Sequence, residues 1–131
     1  MTGLDTNLLL RYFLDDDPVQ SPKARRIMKS LGSSELGWIA LPAIIEFVWV
    51  LKSKNRAQRM TIAATLDRLL AQDTVVVEQA EVVSEAVRRF RFSRADFADC
   101  LIAASAQAAD CSRTLTFDHV AAHDAGMELV P

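Results

Sequence analysis

Short apolar or β-branched runs alternate along this chain with longer stretches whose apolar residues recur every three to four positions, and no other feature limits the fold as much. Runs too short for helices must pair with one another, and helical stretches between them supply the crossovers that parallel strands require. Met1 to Leu4 is a short apolar start, and Thr6 to Leu14 reads as a helix carrying Leu9, Leu10 and Phe13. Asp15-Asp16-Asp17-Pro18 stops it, because proline disfavours helix in the residue before it. Ala24, Ile27, Met28 and Leu31 keep helical spacing, and Gly32 closes that second helix. Leu36 to Ala40 reads as a buried strand, after which Pro42 stands at a first-turn position and opens a helix over Ala43 to Leu51.

Beyond the polar break Ser53-Lys54-Asn55-Arg56, the positions Ile62, Ala63, Leu66, Leu69 and Leu70 mark an amphipathic helix. Val75-Val76-Val77 is a strand without alternation, as expected where a sheet is covered on both faces. Val82, Val83, Ala86, Val87 and Phe90 form a helical stripe, and Asp96 to Ala109 is Ala-rich and helical. Arg113 to Phe117 and Met127 to Val130 are the last strands. No repeat, low-complexity tract or linker interrupts the order, so residues 1–131 predict one domain, of the α/β class, with a mainly parallel sheet.

Half of the residues are hydrophobic, which excludes disorder, and four Gly with four Pro exclude a collagen-like chain. Two cysteines make no disulfide framework, and Cys100, inside an apolar helical run, reads as a buried thiol. The longest apolar run, Leu36 to Leu51, is broken by Gly37, Pro42 and Glu46 and is too short to span a membrane. With no signal-peptide pattern at the start, the expected setting is the reducing cytoplasm, without a membrane.

Open parallel sheets bind ligands at the carboxyl ends of their strands, and acids are concentrated there. Asp5 follows the first strand and Asp118 follows the strand ending Leu115-Thr116-Phe117; each also precedes a helix, where Asp is a preferred cap. Glu46 is the only charged residue in Leu41 to Leu51, a run apolar enough to predict a helix buried all round, where a charge needs a partner or a metal. Asp96 and Asp99 lie three apart at a helix start, placing both on one face near the favourable end of the dipole. Carboxylates from four chain regions converging on one sheet edge would repel unless a cation sat among them. All-oxygen donors suit Mg²⁺ or Mn²⁺, and such ions serve phosphodiester hydrolysis.

Four blocks carry a family resemblance: Leu4-Asp5-Thr6-Asn7 with Leu8 to Leu14; Pro42 with Glu46-Phe47-Val48-Trp49-Val50-Leu51; Asp96-Phe97-Ala98-Asp99-Cys100-Leu101-Ile102-Ala103-Ala104; and Thr114-Leu115-Thr116-Phe117-Asp118. In order and spacing the chain resembles PIN-domain toxins of the VapC type. That resemblance implies a three-layer α/β/α sandwich with a mainly parallel central sheet. It also implies a metal-dependent endoribonuclease that leaves a 5′-phosphate and a 3′-hydroxyl, works as a homodimer and is neutralised by a cognate antitoxin. Carried over by position, Asp5, Glu46, Asp99 and Asp118 match the acidic quartet that is both catalytic and metal-holding, with one or two Mg²⁺ or Mn²⁺ ions. Asp96 matches a frequent extra acid, and Thr6, Asn7 and Thr116 match polar residues lining the pocket. Asn55-Arg56 stands where many relatives carry an aromatic. The competing expectation is a catalytically silent PIN-like module that binds RNA or a protein, its acids serving only as caps.

Basic and aromatic residues alternate in Arg88-Arg89-Phe90-Arg91-Phe92-Ser93-Arg94. Arg88, Arg89, Arg91 and Arg94 could form a phosphate-contacting rim, or could solvate a helix end whose Phe90 belongs to the core. Lys52, Lys54, Arg56 and Arg59 read as a solvated face. His119 and His123, four apart, lack the intervening Glu of a zinc-protease motif and read as exposed helix residues. The net charge of -2, from 17 acids and 15 bases, is not that of a typical nucleic-acid-binding domain. Setting aside Asp5, Glu46, Asp96, Asp99 and Asp118 leaves 12 acids against 15 bases, a mildly basic remainder of +3.

Overall fold

The computed structural model describes residues Met1–Pro131. In chain order the elements are β1 (Thr2–Gly3), α1 (Thr6–Leu14), α2 (Gln20–Ser30), β2 (Gly37–Ile39), α3 (Leu41–Ser53), α4 (Arg59–Leu70), β3 (Val75–Val77), α5 (Ala80–Arg91), α6 (Phe97–Ala108), β4 (Leu115–Thr116), α7 (His119–Asp124) and β5 (Glu128–Leu129). They pack as two compact units, the first made of Met1–Ala57 and Arg68–Glu78, the second of Gln58–Asp67 and Gln79–Pro131. Every strand pairing is parallel, as the alternation of elements predicts, but the pairings fall into two ladders rather than one. No helix is long and apolar enough to cross a membrane.

In the first unit the ladder runs β1-β2-β3, with Thr2 opposite Gly37 and Ile39 opposite Val77. Leu9, Ile39, Ile44 and Phe47 are fully buried, and the Phe13 and Phe47 rings meet with centroids 5.7 Å apart. Truncating a residue such as Phe47 to Ala should cost about 3–5 kcal/mol, the lost transfer energy plus the cavity. Gly37 is required by close packing: a Cβ there would lie 2.8 Å from Leu4 Cδ1 and 2.9 Å from Leu31 Cδ1. The acidic run before Pro18 does more than end α1. Asp17 Oδ1 accepts from the backbone N–H groups of Val19 (2.9 Å) and Gln20 (2.7 Å) and so starts α2; these two bonds hold its carboxyl below the usual range.

Two expectations from the apolar pattern fail in this unit. Helix α3 is not buried all round: Ile44, Phe47, Val48 and Leu51 face the core, while Ile45, Glu46 and Trp49 are exposed, Trp49 by 57 %. Apolar content alone cannot reveal an uncovered face. Likewise Val76 stays partly exposed between buried Val75 and Val77, because successive side chains point to opposite faces and only one face of β3 is covered.

The second unit is organised by α5 and α6, which pack along each other through Val83, Ala86, Val87 and Phe90 against Phe97, Cys100 and Leu101. Phe90 and Phe97 meet edge-on at 5.8 Å. Ala103, Ala121 and Met127 form a smaller cluster joining α6, α7 and the approach to β5. Arg59 departs from the expected solvated face. Its Nη1 donates to the carbonyls of Phe90 (2.9 Å) and Ala95 (2.7 Å), and its guanidinium lies 4.0 Å from the Phe90 ring centroid. The first carbonyl is in the last turn of α5 and the second in the α5–α6 connection, where helical donors run out, so the arginine supplies a partner to each.

Candidate functional site

Each unit presents its own group of the expected acids. In the first, Asp5 follows β1 and caps α1, its Oδ1 accepting from Leu8 N at 3.0 Å. A carboxylate has two oxygens, so capping through Oδ1 leaves acceptor capacity on the other. Thr6, buried behind it, directs its hydroxyl to the Ala43 carbonyl at 3.5 Å and ties the start of α1 to the first turn of α3. Asp5, Thr6 and Glu46 line one cleft of about 430 Å³, together with Trp38, Pro42 and Ala43. Asn7 opens instead into a neighbouring cleft of about 230 Å³ that also contains Asp5, Arg11 and Lys23. Glu46 reaches the first cleft from the solvent-facing side of α3, a charge in water rather than one buried in a core.

Glu78 adds a carboxylate that the motifs do not mark. Directly after β3, its backbone N–H donates to Ile39 O at 2.9 Å and its Oε1 accepts from Leu41 N at 2.7 Å, so it caps α3 from another strand. The signal was the one that identified Asp5 and Asp118, an acid immediately after a strand.

In the second unit Asp96 occupies the cap position of α6, its carbonyl accepting from Cys100 N at 3.0 Å, but its side chain does not cap the helix. Asp99 follows in the first turn. Asp118 caps α7 through Oδ1 to Ala121 N at 2.8 Å, and its own N–H donates to Thr116 Oγ1 at 3.0 Å, which fixes the turn between β4 and α7. Partial burial, then the negative charges of Asp96 and Asp118, raise the Asp99 carboxyl above the ordinary range. Cys100, next to Asp99, is buried, and desolvation pushes its thiol up to about 11, so no thiolate is available there at neutral pH.

Within neither unit do three or more carboxylate, imidazole or thiol side chains close into a finished metal cage. The donor chemistry nevertheless fits a hard divalent cation. Only carboxylates are on offer, and the charges of Asp96 and Asp118 oppose ionisation of Asp99, an opposition that a cation relieves. His119 and His123 are exposed, His123 resting against Asp124.

The arginine cluster is largely occupied. Glu85 receives Arg88 through a two-bond fork at 2.9 and 2.6 Å and Arg89 at 3.0 Å. Arg91 pairs with Asp67, and Arg94 stays almost fully exposed, 4.0 Å from Asp124.

Comparison with family models matches residues 4–125 to the PIN domain. No curated protein and no solved structure matches the chain. The matched span contains Asp5, Glu46, Asp96, Asp99 and Asp118 and runs through both units.

Proposed function

The chain belongs to the PIN-domain family, a nuclease fold of the three-layer α/β/α type with a helical majority and parallel strands, and from that premise we propose that it is a divalent-metal-dependent endoribonuclease. The observation that carries the reading is the family match over residues 4–125 with the acids Asp5, Glu46, Asp99 and Asp118 inside it. On the family pattern these four would hold Mg²⁺ or Mn²⁺. When bound, the ion supplies positive charge at the cleaved phosphate and acidity to a neighbouring water.

The chain's own groups do the positioning. Capping bonds orient Asp5 and Asp118, the Thr116 hydroxyl fixes the backbone beneath Asp118, and Thr6 anchors the turn that carries Asp5. Asp96 keeps Asp99 in a negative field that favours cation capture. The finer assignment, a VapC-type toxin of the cytoplasm that dimerises and is silenced by an antitoxin, rests on the sequence resemblance.

A second reading is favoured by one observation: the Asp5 and Asp118 side chains both cap helices, as they would in a catalytically silent module that binds RNA or a protein. Incubating the protein with single-stranded RNA in Mg²⁺ or Mn²⁺ separates the two. Cleavage that leaves a 5′-phosphate and is abolished by Asp5→Asn and Asp99→Asn in folded protein supports the enzyme; equal cleavage by parent and variants overturns it.

A further inference from the structure

A cavity of about 650 Å³ opens in the second unit, and none of the expected catalytic acids lines it. Its walls carry Arg88, Arg89 and Arg113 against a single carboxylate, Asp124, with Phe92 and Gln107 beside them. The volume lies in the range of small-ligand sites, roughly 300–1,000 Å³. Arg89, only 17 % exposed, is built into the floor. It donates to Glu85, to the Ala125 carbonyl at 3.0 Å and to the Gln107 side chain, and a Cβ on Gly126 would approach its Nη1 to 3.3 Å. Asp124 is already engaged by the Arg94 backbone N–H at 3.1 Å and by His123. Arg113 and Phe92 remain accessible, 57 % and 78 % exposed, and the partner of Arg113, Glu128, is 4.0 Å away. Arg88 and Arg113 each have a carboxylate partner, Glu85 and Glu128, yet both guanidiniums are more than half exposed and keep donors that those pairs do not use. The cavity therefore combines available guanidinium donors with an exposed aromatic face, the chemistry that binds a nucleotide by phosphate and base.

Its place along the helices connects it to the acids. Asp99, Ala103 and Gln107 succeed one another at four-residue steps on one side of α6, each step about 6 Å along the axis, and the last two line the cavity. Asp118 caps one end of α7, and His123 and Asp124, also in the cavity wall, close the other end, about 9 Å away. We propose that this cavity is a subsite for a nucleotide of a single RNA strand flanking the cleaved bond, with its phosphate on Arg88 and Arg113 and its base against Phe92. The inference rests on the ribonuclease reading and extends it to substrate positioning.

The test is fluorescence anisotropy of a short labelled oligouridylate in EDTA, titrated with protein at several salt concentrations, beside a cleavage assay in Mn²⁺. Arg113→Ala should weaken binding and reduce the slope of log K against log salt by about 0.7, one phosphate contact on a single strand. Phe92→Ala should weaken binding at least about fivefold with the slope unchanged, because stacking releases no counterion. Lys29→Ala, which removes a charge from α2 in the other unit, should bind as the parent does. If Arg113→Ala and Phe92→Ala bind as the parent does while the parent cleaves RNA, the subsite is overturned and the ribonuclease reading stands. If the parent neither binds nor cleaves, both fall. Equal weakening by Lys29→Ala, binding of AMP as tight as that of the oligonucleotide, or preferential capture of polyglutamate through Arg113 would each overturn the subsite. They would point respectively to diffuse attraction, a free-nucleotide pocket and an acidic-peptide site.

Discussion

Two carboxylates of the second unit, Asp99 and Glu85, have opposite surroundings. Asp99 stands partly buried beside Asp96 and Asp118, and its carboxyl is driven above the ordinary range. Glu85 accepts the Arg88 fork and a bond from Arg89, and its carboxyl is held down at about 2. Glu85 is surrounded by opposite charge, and one of its two partners, Arg89, also ties α5 to the Ala125 carbonyl and to Gln107. Around Asp99 the charges oppose one another, and a fold tolerates such an arrangement where a cation or substrate compensates it. On the proposed function, the contrast is one between a structural and a functional charge. It predicts that loss of Asp99 damages activity while loss of Glu85 damages stability.

The largest expected effect breaks the comparison at its acidic end. Asp99→Asn should lower RNA cleavage by two orders of magnitude or more, a loss on the scale of removing one preorganised electrostatic group, roughly 10²–10³-fold. Without metal it should melt no lower than the parent, because like-charge repulsion has been removed; a lower metal-free midpoint would show that Asp99 is structural. Metal addition sharpens the same point. At a hundred times its Kd, Mn²⁺ should stabilise the parent by about 2.7 kcal/mol, read as a rise in melting temperature that Asp99→Asn reduces.

At the structural end, Arg59→Ala should cost about 2–3 kcal/mol in a denaturant titration, since two carbonyls lose a charged donor and Phe90 loses its stacked cation. Gly126→Ala should cost about 1–2 kcal/mol, because φ of +84° is left-handed and the new Cβ crowds Arg89. The smallest effect is electrostatic. Glu85 is depressed from 4.5 to about 2, so its contribution is complete above about pH 4.5 and disappears as pH falls through about 2. With its side chain 35 % exposed, that contribution is about 0.5–1 kcal/mol after screening, and Glu85→Gln should flatten the acid limb of stability against pH by that amount. Asp99 has the opposite sign: its raised carboxyl makes the folded state bind the proton more tightly, so its metal-free contribution weakens stability as pH rises past 3.8.

Hydrophobic periodicity and punctuation were enough to identify the helices and the parallel strands, because 3.6-residue spacing, Pro42 and the β-branched run Val75–Val77 act locally. The order of acids after strands likewise marks Asp5 and Asp118 as helix-start residues, since strand ends and helix starts are set by neighbouring residues. Coverage was not legible. Leu41 to Leu51 reads as uniformly apolar, yet whether Ile45 and Trp49 meet solvent depends on what packs against α3. The same holds for Arg59, which looks like one basic residue among several and is instead a donor to carbonyls more than thirty positions away. Asp99 illustrates the division most clearly: its presence in the first turn of α6 is a property of the sequence. Its raised carboxyl comes from partial burial and from Asp118, nineteen positions later, because electrostatic coupling follows distance in space, which only the tertiary structure decides.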